Sequence, residues 1–202
     1  MKMEHSVVSV GGVPTEIIYV AARPDGVEGS GGDGSVKVFC VIPGNPGLVD
    51  FYVDFANELY GRFDGGYSVM VVSHVGHGEE KLTGDKIYTL EDQILHKKLI
   101  LEGISKGRYS EFDHLLNNKA PQFILLGHSV GSYISLKVKA RYPHLNISHI
   151  INLFPTVRDL WYGLSPVVKL LMLPGVRNVF SSCVGYSPKS VIEKLFYLGL
   201  AS

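Results

Sequence analysis

The pentapeptide Gly127-His128-Ser129-Val130-Gly131 joins an apolar run, Gln122-Phe123-Ile124-Leu125-Leu126, to a helix-like stretch from Ser132 to Tyr142. No other feature constrains the fold as tightly. A Gly-x-Ser-x-Gly at a strand-to-helix turn requires a strand, a sharp turn and a helix packed back against that strand. The two glycines answer a steric need, since the turn holds the serine in a strained backbone and the helix passes where a Cβ would clash. Val130, Ile134 and Val138, at i, i+4 and i+8, give that helix an inward face. The pattern also turns up in ordinary Gly-rich loops; the flanking run and stripe are what favour a nucleophile elbow with Gly127, His128 and Gly131 around Ser129.

The rest of the chain supplies a sheet for that elbow. Val7 to Val10, Gly11-Gly12 and Thr15 to Val20 predict an antiparallel hairpin, followed by a Gly/Asp/Ser-rich loop from Arg23 to Ser35. Val36 to Ile42 reads as a strand buried on both faces and runs directly into Pro43-Gly44-Asn45-Pro46-Gly47. From Asp50 to Phe63, Phe51, Phe55, Leu59 and Phe63 share one helical face, with Tyr52 and Ala56 beside them. Tyr67 to Ser73 is the next strand and ends in His74-Val75-Gly76-His77-Gly78. From Thr89 to Ile104 the positions Ile94, Leu95, Leu99 and Leu101 fit a helix, with Thr89, Glu91 and Asp92 as capping candidates. Phe123 to Leu126 and Ile147 to Phe154 complete the strands, and the helix between them stops before Pro143.

Strands alternating with helices predict an α/β fold with a mainly parallel sheet and flanking helices, without internal repeats. After Pro155 the alternation stops, and an apolar, helical tail is broken by Pro166, Pro174 and Pro188. The expected organisation is a core over 1–160 and the start of a cap over 161–202.

Composition removes several functions. Nineteen basic residues balance nineteen acidic ones, which argues against nucleic acid as a partner. Cys40 lies inside an apolar strand and reads as a small core residue; the second cysteine is Cys183. No His/Cys/Asp spacing suggests a metal, and no cofactor is expected. The amino terminus lacks the apolar stretch of a secretory signal, so an intracellular, reducing location is the expectation. The longest apolar candidate for a membrane span, Leu164 to Leu173, is short and interrupted by Pro166 and Lys169.

A serine hydroxyl is a weak nucleophile, so acyl transfer needs a base for its proton and donors for the developing oxyanion. The N–H of Val130 is one donor. The other belongs to the loop after the third strand, where Pro46 has no N–H and Asn45 is the candidate; the competing reading of this loop is a plain Gly/Pro turn. The base is harder to find. In this kind of site the acid and then the histidine follow the serine, yet only His144, His149, Asp159 and Glu193 do so. His149 starts a strand whose far end is the rim carrying Ser129, roughly 20 Å away at ~3.3 Å per residue, and His144 lies at the same distant edge. His74 and His77 end a strand two positions from the elbow strand, about 10 Å at ~4.8 Å spacing. His77 could approach with loop movement, or simply shape its turn. His128 reads as a packing residue, His96 as structural, and Asp159 has no later histidine to orient. The sequence thus predicts the nucleophile and oxyanion half of a hydrolase, ending before its acid and base.

Taken together, Ile42 to Gly47, Phe51-Tyr52 with Phe55-Ala56, Ser73 to His77, Gln93-Ile94 with His96-Lys97, Gly127 to Tyr133 and Leu153-Phe154-Pro155-Thr156 closely resemble the lipid droplet-associated hydrolase family over roughly residues 36–160. The resemblance implies an α/β-hydrolase fold that is incomplete here, lacking the last strands. It implies a serine hydrolase of lipid esters, sterol esters among them, with Ser129 as nucleophile. It also implies association with lipid droplets and the cytoplasmic side of the endoplasmic reticulum. A chain stopping short of the acid and histidine would be weak or inactive. Two other functions stay open at this level: a non-catalytic module binding a droplet or membrane surface through the tail from Trp161 to Leu200, and a thioesterase or other acyl-transfer hydrolase.

Overall fold

Gly11 and Gly12 take φ of 61° and 83°, the two positive values that a two-residue hairpin turn demands. They join β1 (Glu4–Val10) to β2 (Val13–Val20), antiparallel with Val10 facing Val13. In this computed structural model the described residues are 3–23, 35–77, 87–116 and 119–157, with Lys169 and Leu173. The expectations for most of the Gly-rich loop, for Cys183, Asp159 and Glu193, and for nearly all of the tail therefore fall outside the description. The chain divides into two compact units, 1–157 and 158–202, and the account below concerns the first.

β3 (Val36–Ile42), β4 (Ser68–Val72), β5 (Pro121–His128) and β6 (Ile147–Leu153) are parallel to one another. With the hairpin they form one six-stranded sheet in the order β1-β2-β4-β3-β5-β6, in which β2 meets β4 antiparallel. Alternation along β3 splits the core in two. Val38, Cys40 and Ile42 face α2 (Leu90–Ser105) and α4 (Val130–Arg141), packing with Ile94, Leu101, Ile134 and Val138. Phe39 and Val41 face α1 (Val53–Arg62), packing with Ala56 and Tyr60. A short α3 (Asp113–Leu116) precedes β5. Cys40 is fully buried, and its burial pushes the thiol up to about 12. This is the α/β-hydrolase architecture: a mainly parallel mixed sheet covered by helices on both faces.

Two helical faces differ from the expectation. On α1 the sheet takes Ala56 and Tyr60, while Phe51 is 71% exposed and Phe55 and Phe63 are partly exposed. Small Ala56 lets the helix approach the strands closely, and the larger rings are left at the margin. On α2 Leu95 is exposed, and the buried stripe is Ile94, Lys97, Ile100, Leu101 and Ile104. Thr89 caps α2 as anticipated, accepting from the Asp92 N–H at 3.2 Å while the Asp92 carboxylate accepts from the Thr89 N–H at 2.7 Å.

Candidate active site

Ser129 sits between β5 and α4 with φ 52° and ψ −117°, a backbone state that costs a non-glycine residue about 1–3 kcal/mol. Its surroundings fix it there. The Ser129 N–H donates to the Leu153 carbonyl at 2.9 Å, and the Ser129 carbonyl accepts from the N–H groups of Ser132 at 3.0 Å and Thr156 at 3.2 Å. Both elbow glycines are required by space. A Cβ on Gly127 would lie 2.6 Å from the Ser132 nitrogen, and one on Gly131 would run into the carbonyl oxygens of Ile42 and Pro43. The helix can therefore start against β3 only if position 131 has no side chain.

The loop after β3 lies against the same serine. A Cβ on Gly44 would come 3.1 Å from the Ser129 Cβ and 2.9 Å from His128 Nδ1. The Gly44 N–H is already used: it donates to the Tyr52 hydroxyl at 2.8 Å, which donates in turn to His128 Nδ1 at 2.7 Å. His128, read from sequence as a packing residue, is thus also a hydrogen-bonded strut between the elbow and the start of α1, and its ring meets Phe154 edge-on at 6.2 Å. The two candidate oxyanion donors stay available. Val130 is the first residue of α4, whose N–H has no intrahelical acceptor. Asn45 is exposed, and among the described residues its N–H meets no acceptor.

Beside this loop runs the turn after β4, held from below by α2. The Gln93 side chain accepts from the Val75 N–H at 2.9 Å and donates to the Val75 carbonyl at 3.0 Å. Lys97, wholly buried, donates to the Ser73 carbonyl at 2.6 Å and to His96 Nδ1 at 3.1 Å. That contact leaves the proton of His96 on Nε2, which donates to Thr15 Oγ1 at 2.8 Å. The turn then grips the candidate oxyanion loop: the His74 N–H donates to the Gly47 carbonyl at 2.9 Å, and His77 Nδ1 donates to the Pro46 carbonyl. Burial, the cationic Lys97 and neighbouring His77 hold His74 down at about 2, and burial and Lys97 do the same for His96. Burial lowers Lys97 to about 7.

All eight histidines of the sequence lie among the described residues, and none hydrogen-bonds Ser129. His149 faces Ile124, deep in the β5–β6 ladder, and His144 lies near Glu102 on α2. The Ser129 Oγ meets the Thr156 Oγ1 instead, at 3.1 Å. Thr156, Tyr52 and Gln93 were not singled out for a role by sequence reasoning, because each reaches the site through the fold. Lys97 did leave a trace, lying three residues from Ile94 and four from Leu101 on the stripe that is buried.

The family described as "Lipid-droplet associated hydrolase" matches residues 35–196. A lipid droplet-associated hydrolase of Dictyostelium discoideum is 37% identical over 183 residues, covering 90% of this chain and 55% of its own length. One from Rattus norvegicus is 36% identical over 164 residues, covering 74% and 47%. The chain thus spans about half the length of the curated relatives it matches. Among solved structures, a haloalkane dehalogenase from Agrobacterium tumefaciens C58 superposes with a TM-score of 0.58 at 20% identity, over 89% of this chain and 52% of its own. The thioesterase domain from the curacin biosynthetic pathway superposes with a TM-score of 0.55 at 16% identity, over 92% and 54%. At such identities these structures speak for the fold alone.

Proposed function

The chain belongs to the lipid-droplet associated hydrolase family, and from that premise we propose that it carries the nucleophile half of a serine hydrolase acting on lipid esters, sterol esters included, at droplets and the cytoplasmic face of the endoplasmic reticulum. One observation carries the chemistry: Ser129 is held in a strained turn with the Gly44-Asn45 backbone packed beside it. In the proposed reaction Ser129 Oγ bonds to the ester carbonyl carbon, and the carbonyl π pair moves onto oxygen. The N–H groups of Asn45 and Val130 hold that oxyanion. Its collapse breaks the bond to the alcohol oxygen, which takes up the proton released from Oγ; water then cleaves the acyl-serine by the same route. The base that shuttles this proton is a histidine outside the chain studied, since none here touches Ser129, and the chain alone reacts weakly or not at all.

The test is intact mass after exposure to a fluorophosphonate, with Ser129→Ala as control. A slow single adduct that disappears in the variant is the expected result. An adduct retained in the variant overturns the reading, as does ester hydrolysis by a full-length relative that survives alanine at the serine aligned with Ser129. A second reading, a non-catalytic lipid-surface module, is favoured by the absence of an imidazole at Ser129. A folded chain that binds lipid vesicles and forms no adduct would support it. Thioester cleavage would use the same groups, and comparing oxoester with thioester turnover in a full-length relative separates the two substrates.

A further inference from the structure

The turn that follows β6 is bent around Ser129 in a way that packing does not explain. Phe154 adopts φ 46°, an outlier for a bulky side chain, and its ring is 86% exposed, so burial of that ring does not offset the strain. What the bend achieves is contact with one residue. The Leu153 carbonyl accepts the Ser129 N–H at 2.9 Å, the Thr156 N–H donates to the Ser129 carbonyl at 3.2 Å, and the Thr156 hydroxyl lies 3.1 Å from Ser129 Oγ. Every polar atom of the serine is thereby tied to residues 153–156.

We propose that Thr156 aims the nucleophile: its hydroxyl selects the Ser129 side-chain rotamer from which attack occurs. The catalytic part of this proposal rests on Ser129 being the nucleophile, while the positional part stands on its own. A serine side chain has three staggered wells and no carbon beyond Cβ for packing to grip, so only a hydrogen bond can choose among them. Threonine suits that task better than serine would. Its β-branch stiffens χ1, and its backbone N–H is anchored to the residue it must orient, so the hydroxyl is a fixed point. Thr156 touches the reacting atom, and displacing Oγ by one rotamer moves it out of reach of a carbonyl carbon held by the oxyanion donors. The half-buried setting of Thr156 leaves room for conservative variants to fold.

The experiment compares wild type, Thr156→Val and Thr156→Ser in the 202-residue chain. One readout is the Hα–Hβ couplings of Ser129 in protein labelled with 13C-serine, the signal assigned by its loss in Ser129→Ala. The other is the fluorophosphonate reaction, resolved into maximal rate and half-saturating concentration. Wild type and Thr156→Ser are expected to show the couplings of one rotamer, and Thr156→Val an average. The valine variant should lose about five- to tenfold in maximal rate, the size of one net hydrogen bond, at an unchanged half-saturating concentration. Unchanged couplings in Thr156→Val overturn the proposal whatever the labelling. Changed couplings with an unchanged rate overturn its catalytic part. If wild type forms no adduct while the valine couplings change, the nucleophile reading fails for this chain and Thr156 keeps its positioning role.

Discussion

The two turns at the carboxyl rim of the sheet are built by opposite means. Around Ser129 the elbow is fixed by the lack of side chains: Gly127 and Gly131 let backbone meet backbone, with hydrogen bonds from the main chain around it. After β4, the turn from Ser73 to His77 is fixed by side chains brought from α2, with Gln93 and Lys97 bonding main-chain groups that no strand partner satisfies. The first design is insensitive to protonation, since no proton on a side chain enters it. The second buries a lysine and two histidines together, so its strength depends on pH. The difference shows how one rim can hold a strained residue rigidly while its neighbouring loop rests on titratable supports.

The hardest blow to the comparison is Gly131→Ala. A Cβ there meets the carbonyl oxygens of Ile42 and Pro43, backbone atoms of the central strand and its loop, so the variant should lose more than about 3 kcal/mol or fail to fold. Urea denaturation measures it; a loss below about 1 kcal/mol would show the elbow to be less constrained than the contacts require.

The β4 turn is probed by pH. The folded Lys97 is lowered to about 7 from its usual 10.5, so between pH 7 and 10 the unfolded chain binds more protons and stability rises with pH, by up to about 1.4 kcal/mol per unit. His74 and His96, lowered to about 2 from 6.5, add a loss of stability as pH falls below 6.5. The buried thiol of Cys40, facing Lys97 and raised to about 12, opposes the rise only once an unfolded thiol ionises, near 9. Unfolding free energies from pH 5 to 8.5 should therefore climb throughout. Lys97→Met should flatten the limb above pH 7 and keep the acid limb. An unchanged slope in that variant would take Lys97 out of the account.

The smallest effect belongs to a residue outside both constraints. Phe51, on the face that sequence periodicity would bury, is mostly exposed, and Phe51→Ser should change stability by no more than about 0.5 kcal/mol. A large loss would restore the apolar face read from the spacing of Phe51, Phe55, Leu59 and Phe63.

These cases also mark how far the sequence was legible. The glycines of the elbow, the hairpin at Gly11-Gly12, the cap at Thr89 and the strand Val36–Ile42 were readable because their causes lie within a few residues of one another. The choice of helical face on α1 was not, because the phenylalanines and the Tyr52/Ala56/Tyr60 stripe have the same period. Only the closeness of α1 to the sheet decides in favour of small Ala56. The role of Lys97 was half legible. Its place on the α2 stripe could be counted, but its acceptor is the Ser73 carbonyl, 24 positions away.

By itself, then, the sequence determined the alternation of strands and helices, the turn that strains Ser129 and the loop that approaches it, because sterics and periodicity are local. Tertiary structure alone decided that Tyr52 links Gly44 to His128, that α2 supports the turn after β4, and that Thr156 meets the nucleophile candidate across 27 positions. Those contacts join residues that become neighbours only when parallel strands stack in the order β4-β3-β5-β6. Strand order is set by how whole faces bury their apolar area, and no short stretch of chain records it.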